Sequence, residues 1–128
     1  YIEYQRLEWF RLPQQTGARH VAGPYVDYLC STEITMTSAV PLVIDGEFLG
    51  VSCTDVLVEA VERSLLAELE AVGDTVTLAN TSGRVVISSD PTLATGDHID
   101  VNGANGGTVD TTVVPCTALP LVLVAAPS

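Results

Sequence analysis

Two apolar runs separated by a polar turn form the clearest pattern in this sequence of 128 residues. The runs cover Ala39–Ile44 and Phe48–Cys53, and Asp45-Gly46-Glu47 lies between them. An Asp-Gly pair between β-branched runs is a strong hairpin signal, because glycine readily adopts the positive φ of a tight turn. The pattern therefore predicts an antiparallel hairpin that closes on the carboxylate of Asp55.

A helix is expected directly after this hairpin, over Leu57–Ala71, with Gly73 as its stop. Apolar residues recur there every four positions, which is the spacing of one helix face. We expect that face to be buried; its members are Leu57, Val61, Leu65 and Leu69. We expect the acidic residues between them to be exposed; these are Glu59, Glu62, Glu68 and Glu70.

The segments before the hairpin predict one helix and two strands. Tyr1–Leu12 has helical composition, and Pro13 is expected to end that helix. The glycine-bounded stretch of residues 17–23 predicts a loop. Alternating apolar and polar positions then predict strands over Pro24–Cys30 and Glu33–Val43.

The segments after the central helix predict only strands. Val76–Ala79 and Arg84–Ser88 flank a polar turn, which is typical of a second hairpin. Val109–Val114 and Leu119–Ala125 predict the closing strands. Pro115 lacks an N–H group for a sheet ladder, so it suits an edge or a bend.

Composition limits the classes of partner. The chain has a hydrophobic fraction of 47% and a formal net charge of −11, with sixteen acidic and five basic residues. Such acidity disfavours nucleic acid and anionic membranes as partners, because both repel a negative surface. We expect one packed domain over residues 1–128, forming part of a longer protein because the chain begins inside a patterned segment.

The sequence shows no motif for a metal, a cofactor or catalysis. His20 and His98 have no partner at ligand spacing, and no serine lies in a nucleophile elbow. The odd number of cysteines, without a CxxC pair, predicts buried free thiols in preference to a disulfide. These cysteines are Cys30, Cys53 and Cys116.

The candidate ligand-binding side chains combine one guanidinium, several aromatic rings and two carboxylates. They are Arg6, Trp9, Phe10, Tyr25, Asp27 and Asp55. Arginine binds a carboxylate bidentately, and an ammonium group prefers a carboxylate and an aromatic face. The set therefore suits an amino acid or a similar zwitterion. Structural alternatives stay open: Trp9 and Phe10 as core anchors, and Asp55 as the N-cap of the following helix.

The region from Trp9 to Pro91 resembles the extracytoplasmic Cache sensor domains of bacterial receptors, which are related to the PAS fold. Three motifs carry the resemblance: the Trp-aromatic pair, the PY-x-D strand, and the P-x-x-x-D-G-x-F-x-G-V-x-x-x-D hairpin. The resemblance implies an α+β fold with a PAS-like twisted antiparallel sheet and flanking helices.

In amino-acid-binding members of this family, Tyr, Arg, Trp and Tyr are followed by a second Tyr and an Asp. The matching positions here are Tyr1, Arg6, Trp9, Phe10, Tyr25 and Asp55. Two features depart from the family pattern: the spacing from Arg6 to Trp9 is one residue longer, and Phe10 replaces a tyrosine. Family members also carry a long N-terminal helix, which we expect to precede this segment.

The resemblance implies a sensor that binds an amino acid, an amine or a carboxylate and signals to an output domain outside this chain. It implies no enzyme activity, an extracytoplasmic location in a membrane receptor, and an option to form a homodimer. The alternative is a PAS-like dimerisation or interaction module with a filled pocket, inside a larger regulator, and a cytoplasmic regulator is the second option for location.

Overall fold

The computed structural model describes residues 7–26, 33–101 and 111–127, which form two helices and seven strands. The elements in chain order are α1 (Glu8–Thr16), β1 (His20–Val26), β2 (Ile34–Ile44), β3 (Glu47–Leu57), α2 (Val58–Ala71), β4 (Thr75–Asn80), β5 (Val85–Ser88), β6 (Thr112–Pro115) and β7 (Leu121–Ala126). All strand pairs are antiparallel. The predicted α+β class is confirmed.

The strands divide between two sheets. The first sheet has the order β1-β2-β3, and the second has the order β5-β4-β7-β6. Helix α1 packs on the first sheet, whereas α2 contacts strands of both. The two sheets and α2 therefore enclose the space between them.

The predicted hairpin is confirmed as β2 and β3. Ala39 pairs with Cys53, and Thr37 pairs with Asp55, in one antiparallel register. Asp45 and Gly46 form the turn with φ values of 51° and 79°, the positive values that a tight hairpin turn requires. The position of Asp55 on β3 is thus fixed by the hairpin register.

The first helix ends later than predicted. Pro13 lies inside α1, and the helix ends instead at Gly17, whose left-handed φ of 68° lets its N–H bond the Pro13 carbonyl at 2.9 Å. Pro13 is buried, so its ring contributes packing that offsets the one helical hydrogen bond it removes. The first six residues of the predicted helix lie outside the described part of the chain.

Strand β1 begins earlier than predicted. His20, Val21 and Ala22 pair with β2, although the sequence predicted a loop there. The ladder becomes irregular between Ala22 and Tyr25, where the Gly23–Pro24 peptide is cis. Gly23 and Pro24 therefore lie within β1, where they interrupt its hydrogen-bonding ladder, and they are not the start of the strand as predicted.

The second sheet provides most of the buried apolar core. Strands β4 and β5 form the predicted second hairpin, and residues 76–79 and 85–87 are buried. Pro115 lies on β6, which is an edge strand of this sheet, as predicted. This sheet therefore has a tightly packed apolar interior.

The burial predicted for α2 is only partly correct. Val58 is the buried residue of this helix, while Val61 and Leu69 are half-buried and Leu65 is 36% exposed. Leu57 is half-buried and precedes the helix as its N-cap. The predicted apolar face borders open space between the sheets, which explains its incomplete burial. The four acidic residues are exposed, as predicted.

The two described cysteines are free thiols, but neither is buried as predicted. Cys53 is exposed and Cys116 is half-buried. Cys53 lies on β3, an edge strand of the first sheet, and shares the exposure of most residues on this strand. Cys30 lies outside the described residues.

Candidate functional site

A chain of hydrogen bonds crosses the first sheet and joins two of the predicted site residues. The Tyr25 hydroxyl is hydrogen-bonded to the Thr37 hydroxyl, and Thr37 Oγ1 donates to Asp55 Oδ1 at 2.7 Å. These three residues come from β1, β2 and β3. The sheet therefore brings Tyr25 and Asp55 to one place through a threonine that the sequence analysis did not select.

The strand register explains this arrangement. Thr37 and Asp55 are directly paired, so their side chains lie on the same face of the sheet. Tyr25 pairs with Thr35, two positions along β2, which is within reach of a long aromatic side chain. Thr37 is buried and Asp55 is exposed. The carboxylate is thus held by the sheet and still open to solvent.

The N-cap alternative for Asp55 is not supported. The N-cap of α2 is Leu57, and it makes no side-chain capping hydrogen bond. Asp55 lies within β3, and its described hydrogen-bond partner is Thr37. Its role in the fold is therefore a cross-strand contact.

Trp9 and Tyr25 line the same cleft, which has a volume of about 360 Å³. The cleft lies between the start of α1, β1 and the β4–β5 hairpin. Gly23 also lines it and has a φ of 104°; a Cβ there would lie 2.7 Å from the Thr35 carbonyl oxygen and 2.9 Å from Tyr25 Cδ1. The glycine therefore lets the Tyr25 ring lie close against the backbone.

The cleft carries both signs of charge. Glu8 and Arg84 line it together with Asn80 and Ser82. Asn80 Nδ2 donates to the Gly23 carbonyl oxygen at 2.7 Å, which ties the second sheet to the wall of the cleft. Arg84 Nη1 donates to the Gly96 carbonyl oxygen at 3.2 Å, which fixes one side of the guanidinium. A carboxylate and an ammonium could each find an opposite charge in this region.

The remaining predicted residues are not all in the cleft. Phe10 packs edge-on against Phe48, with ring centroids 5.7 Å apart, and so anchors α1 to the hairpin. This contact agrees with the structural alternative for Phe10. Arg6 and Asp27 lie outside the described residues, as does Tyr1.

Asp55 also influences the neighbouring thiol. The pKa of Cys53 is raised from its ordinary value, first by partial burial and then by the negative charge of Asp55. Residues two apart on a strand point to the same face, which brings the two groups together. The ionisation of the Cys53 thiol therefore depends on the charge at position 55.

The sequence analysis missed Thr37, Glu8, Asn80 and Arg84. Thr37 was detectable in principle, because the hairpin register places it opposite Asp55. The other three belong to the cleft only through contacts between α1, β1 and the second sheet. Sequence periodicity carries no information on such long-range contacts.

No protein-family model matches the chain, and no curated protein matches it. Solved structures do match. The ligand-binding domain of the Pseudomonas aeruginosa PAO1 amino acid chemoreceptor PctC, in complex with GABA, is 17% identical with a TM-score of 0.61, over 96% of this chain and 62% of that one. The ligand-binding domain of the Pseudomonas fluorescens chemoreceptor CtaA, in complex with L-leucine, is 15% identical with a TM-score of 0.70. The match covers 99% of this chain and 60% of that one.

A third structure is the ligand-binding domain of the P. aeruginosa PAO1 amino acid chemoreceptor PctB, in complex with L-Arg. It is 15% identical with a TM-score of 0.68, over 99% of this chain and 57% of that one. The chain thus spans about three-fifths of the length of these domains. The fold is that of chemoreceptor ligand-binding domains, as the Cache resemblance predicted. Within the described residues, no helix is both long and apolar enough to cross a membrane.

Proposed function

We propose that this chain is part of an extracytoplasmic sensor domain that binds an amino acid or a related small amine. The hydrogen-bonded chain from Tyr25 through Thr37 to Asp55 is the observation that carries the proposal. It presents an exposed carboxylate that Thr37 connects to the hydroxyl group of an aromatic residue, and an ammonium group prefers a carboxylate and an aromatic face. The fold shared with amino acid chemoreceptor domains supports the same ligand class.

The ligand would lie beside Tyr25, because this residue belongs to both parts of the site. Its ring lines the cleft with Trp9, and its hydroxyl leads through Thr37 to Asp55. In the proposal Asp55 binds the ammonium group and Arg84 binds the carboxylate of an amino acid. No covalent step is involved; binding shifts a conformational equilibrium that an output domain outside this chain reads.

Asp55→Asn tests the ammonium contact. A thermal-shift screen of amino acids, amines and small carboxylates first identifies a ligand, because a molecule that binds only the folded state raises the melting temperature. Calorimetry should then show that Asp55→Asn weakens this ligand by well over tenfold, since loss of a charged partner costs about 2–5 kcal/mol of binding. Asp74→Asn, at another exposed aspartate, is the control. Unchanged affinity in Asp55→Asn would remove this residue from the site.

Arg84→Gln tests the opposite end of the ligand. The variant should weaken an amino acid but leave the corresponding amine, which lacks the carboxylate, nearly unaffected. Arg63→Gln, on the exposed surface of α2, is the matched control. An equal loss of affinity for the amino acid and the amine would mean that Arg84 maintains the structure of the cleft and does not bind the carboxylate.

The interaction module is a second candidate, and one observation favours it. The end of the β2–β3 hairpin exposes several large apolar side chains, which often mark an interaction surface. They include Leu42, Val43, Ile44 and Leu49. Light scattering measures whether the protein is a dimer. If the dimer forms through this surface, Ile44→Glu should convert it to a monomer. A monomeric parent protein would exclude this candidate.

A further inference from the structure

A second cavity lies between the two sheets and has a volume of about 540 Å³. The first sheet contributes Val21, Met36, Ser38 and Val56 to its wall, and the remaining wall comes mainly from α2 and the second sheet. Thr37 lies between Met36 and Ser38 in sequence, so it points to the opposite face of the sheet. The cavity is therefore separate from the Tyr25–Thr37–Asp55 site.

The lining of this cavity is almost entirely apolar. Leucine, valine, isoleucine and methionine side chains supply it, and the exceptions are Ser38, Glu68 and Cys116. Its volume lies within the range of about 300–1,000 Å³ that is usual for small-molecule pockets. Protein interiors contain few voids larger than a water molecule, and apolar cavities tend to stay dry and to accept apolar molecules. The dimensions and the lining thus suit an apolar ligand.

The position of Glu68 indicates which end group such a ligand would carry. Glu68 is the charged residue among those that line the cavity. It is exposed, as are the lining residues Val56, Leu65 and Leu119, so these four lie where the cavity meets solvent. An ammonium group at this opening would meet the Glu68 carboxylate, while an anionic end group would be repelled by it and by the net charge of −11.

We propose that this cavity binds an apolar monoamine, with the hydrocarbon between the sheets and the ammonium group at Glu68. The occupant would contact all three strands of the first sheet, α2 and the second sheet at once. Its binding energy would therefore depend on how the two sheets and α2 are arranged, which makes the cavity a second input to the domain. The proposal concerns a different site and a different ligand from the amino acid site, so either can fail alone.

Calorimetry of the full chain with primary n-alkylamines of increasing length tests the apolar part of the proposal. Each added methylene should tighten binding by about fourfold until the cavity is filled, because burying one CH₂ is worth about 0.8 kcal/mol. n-Alkyl carboxylates of the same length should bind more weakly than the amines. An affinity that does not depend on chain length, or equal binding of amine and carboxylate, would overturn the proposal.

Substitutions inside the cavity provide the structural test. Ser38→Leu should weaken decylamine by about fivefold or more, because overpacking a site costs about 1–3 kcal/mol. Thr54→Leu is the matched control: Thr54 pairs with Ser38 on the same face of the sheet but does not line the cavity. Val61→Phe narrows the cavity from α2 and must have the same effect as Ser38→Leu. Unchanged decylamine binding in both cavity variants would overturn the proposal.

Glu68→Gln tests the end-group contact. The variant should weaken decylamine by about two- to fivefold, the value of an exposed ion pair, and leave decanol unchanged. Glu70→Gln, exposed on the same helix and outside the cavity, should have no effect on either molecule. Asp55→Asn should also retain decylamine binding. A decylamine affinity that survives Glu68→Gln unchanged would overturn the assignment of an amine.

Discussion

The two sheets of this protein use similar strand sequences for different purposes. The second sheet buries its apolar side chains: Val85, Val86 and Ile87 are at most 3% exposed. The first sheet also buries apolar residues, among them Met36 and Ala39, but it buries Thr35 and Thr37 on one face and leaves apolar residues at its hairpin end exposed. Burying hydroxyl groups costs free energy unless they are hydrogen-bonded. A sheet that accepts this cost holds polar groups in fixed positions, as a binding site requires.

The two hairpins show the same contrast. Turn residues of the β4–β5 hairpin bond to Asn80, whose Oδ1 accepts hydrogen bonds from Ser82 and Arg84. The β2–β3 hairpin turns at Asp45 and Gly46, which are exposed, as is most of β3. The second sheet therefore supplies most of the buried apolar core, whereas the first sheet carries the Tyr25–Thr37–Asp55 hydrogen bonds and the exposed apolar hairpin end. Matched substitutions in the two sheets test this difference.

The largest effect is expected from a pair of isoleucines. Ile87 in the second sheet is 3% exposed, whereas Ile44 in the first sheet is 60% exposed. Ile87→Ala should reduce the free energy of unfolding by about 2–5 kcal/mol, the range for a core isoleucine. Ile44→Ala should change it by less than about 0.5 kcal/mol. Urea denaturation measures both, and comparable losses would mean that the hairpin end is also part of the core.

A smaller effect is expected from two glycines within the first sheet. Gly23 and Gly46 both have positive φ, but only at Gly23 would a Cβ collide with neighbouring atoms. Gly46→Ala should cost about 1–2 kcal/mol, the price of a left-handed L-residue. Gly23→Ala adds the collision with the Thr35 carbonyl and the Tyr25 ring, so it should cost more and also weaken ligand binding. Equal costs, with binding retained, would show that the Tyr25 ring is not held by this contact.

Next come two buried threonines in corresponding roles. Thr37 bonds Tyr25 and Asp55, and Thr77 is hydrogen-bonded to Ser88 at 2.7 Å. Replacing either by valine should cost about 0.5–1.5 kcal/mol of stability, the net worth of a typical hydrogen bond. Only Thr37→Val should also weaken the amino acid or amine, because it alone releases Asp55. If Thr77→Val reduced the affinity as much, the functional distinction between the sheets would be lost.

The sequence predicted the β2–β3 hairpin of the first sheet well. The turn at Asp45 and Gly46 and the strands on either side of it depend on short-range chemistry, and both agree with the structure. The predicted alternation of burial along β2 was wrong, because residues 35–37 are all buried. The wrong predictions concern features that depend on tertiary packing. Pro13 is retained in a helix because its ring is buried, and Leu65 is exposed because its helix face borders a cavity.

The candidate site was less predictable than the fold. Trp9 and Tyr25 line one cleft, and Asp55 joins Tyr25 through Thr37, but the role of these residues in binding stays a prediction. Phe10 was assigned to the site; its ring lies edge-on against Phe48 of the hairpin and against Trp9, which lines the cleft. The division into two sheets, which creates both cavities, follows from pairings between β4 and β7 that lie far apart in sequence. Periodicity cannot reveal such pairings.

The smallest effect concerns the thiol of Cys53, and it reports directly on the charge at Asp55. The pKa of this thiol is raised by partial burial and by Asp55, so the reactive thiolate is depleted near neutral pH. Asp55→Asn removes the second cause and should lower the pKa. In a variant whose other two cysteines are serine, iodoacetamide should then alkylate Cys53 faster at neutral pH, because a larger fraction of the thiol is ionised.

The pH dependence separates this electrostatic effect from a change in access. Well above the pKa both proteins carry the thiolate, so their alkylation rates should converge as the pH rises. An increase caused by better access would instead persist at high pH. Asp74→Asn is again the control, since it removes the same charge from an exposed position outside the first sheet. Equal rates at neutral pH in Asp55→Asn and the parent would show that Asp55 does not act on Cys53, and would weaken the case for a fixed negative charge on this face of the first sheet.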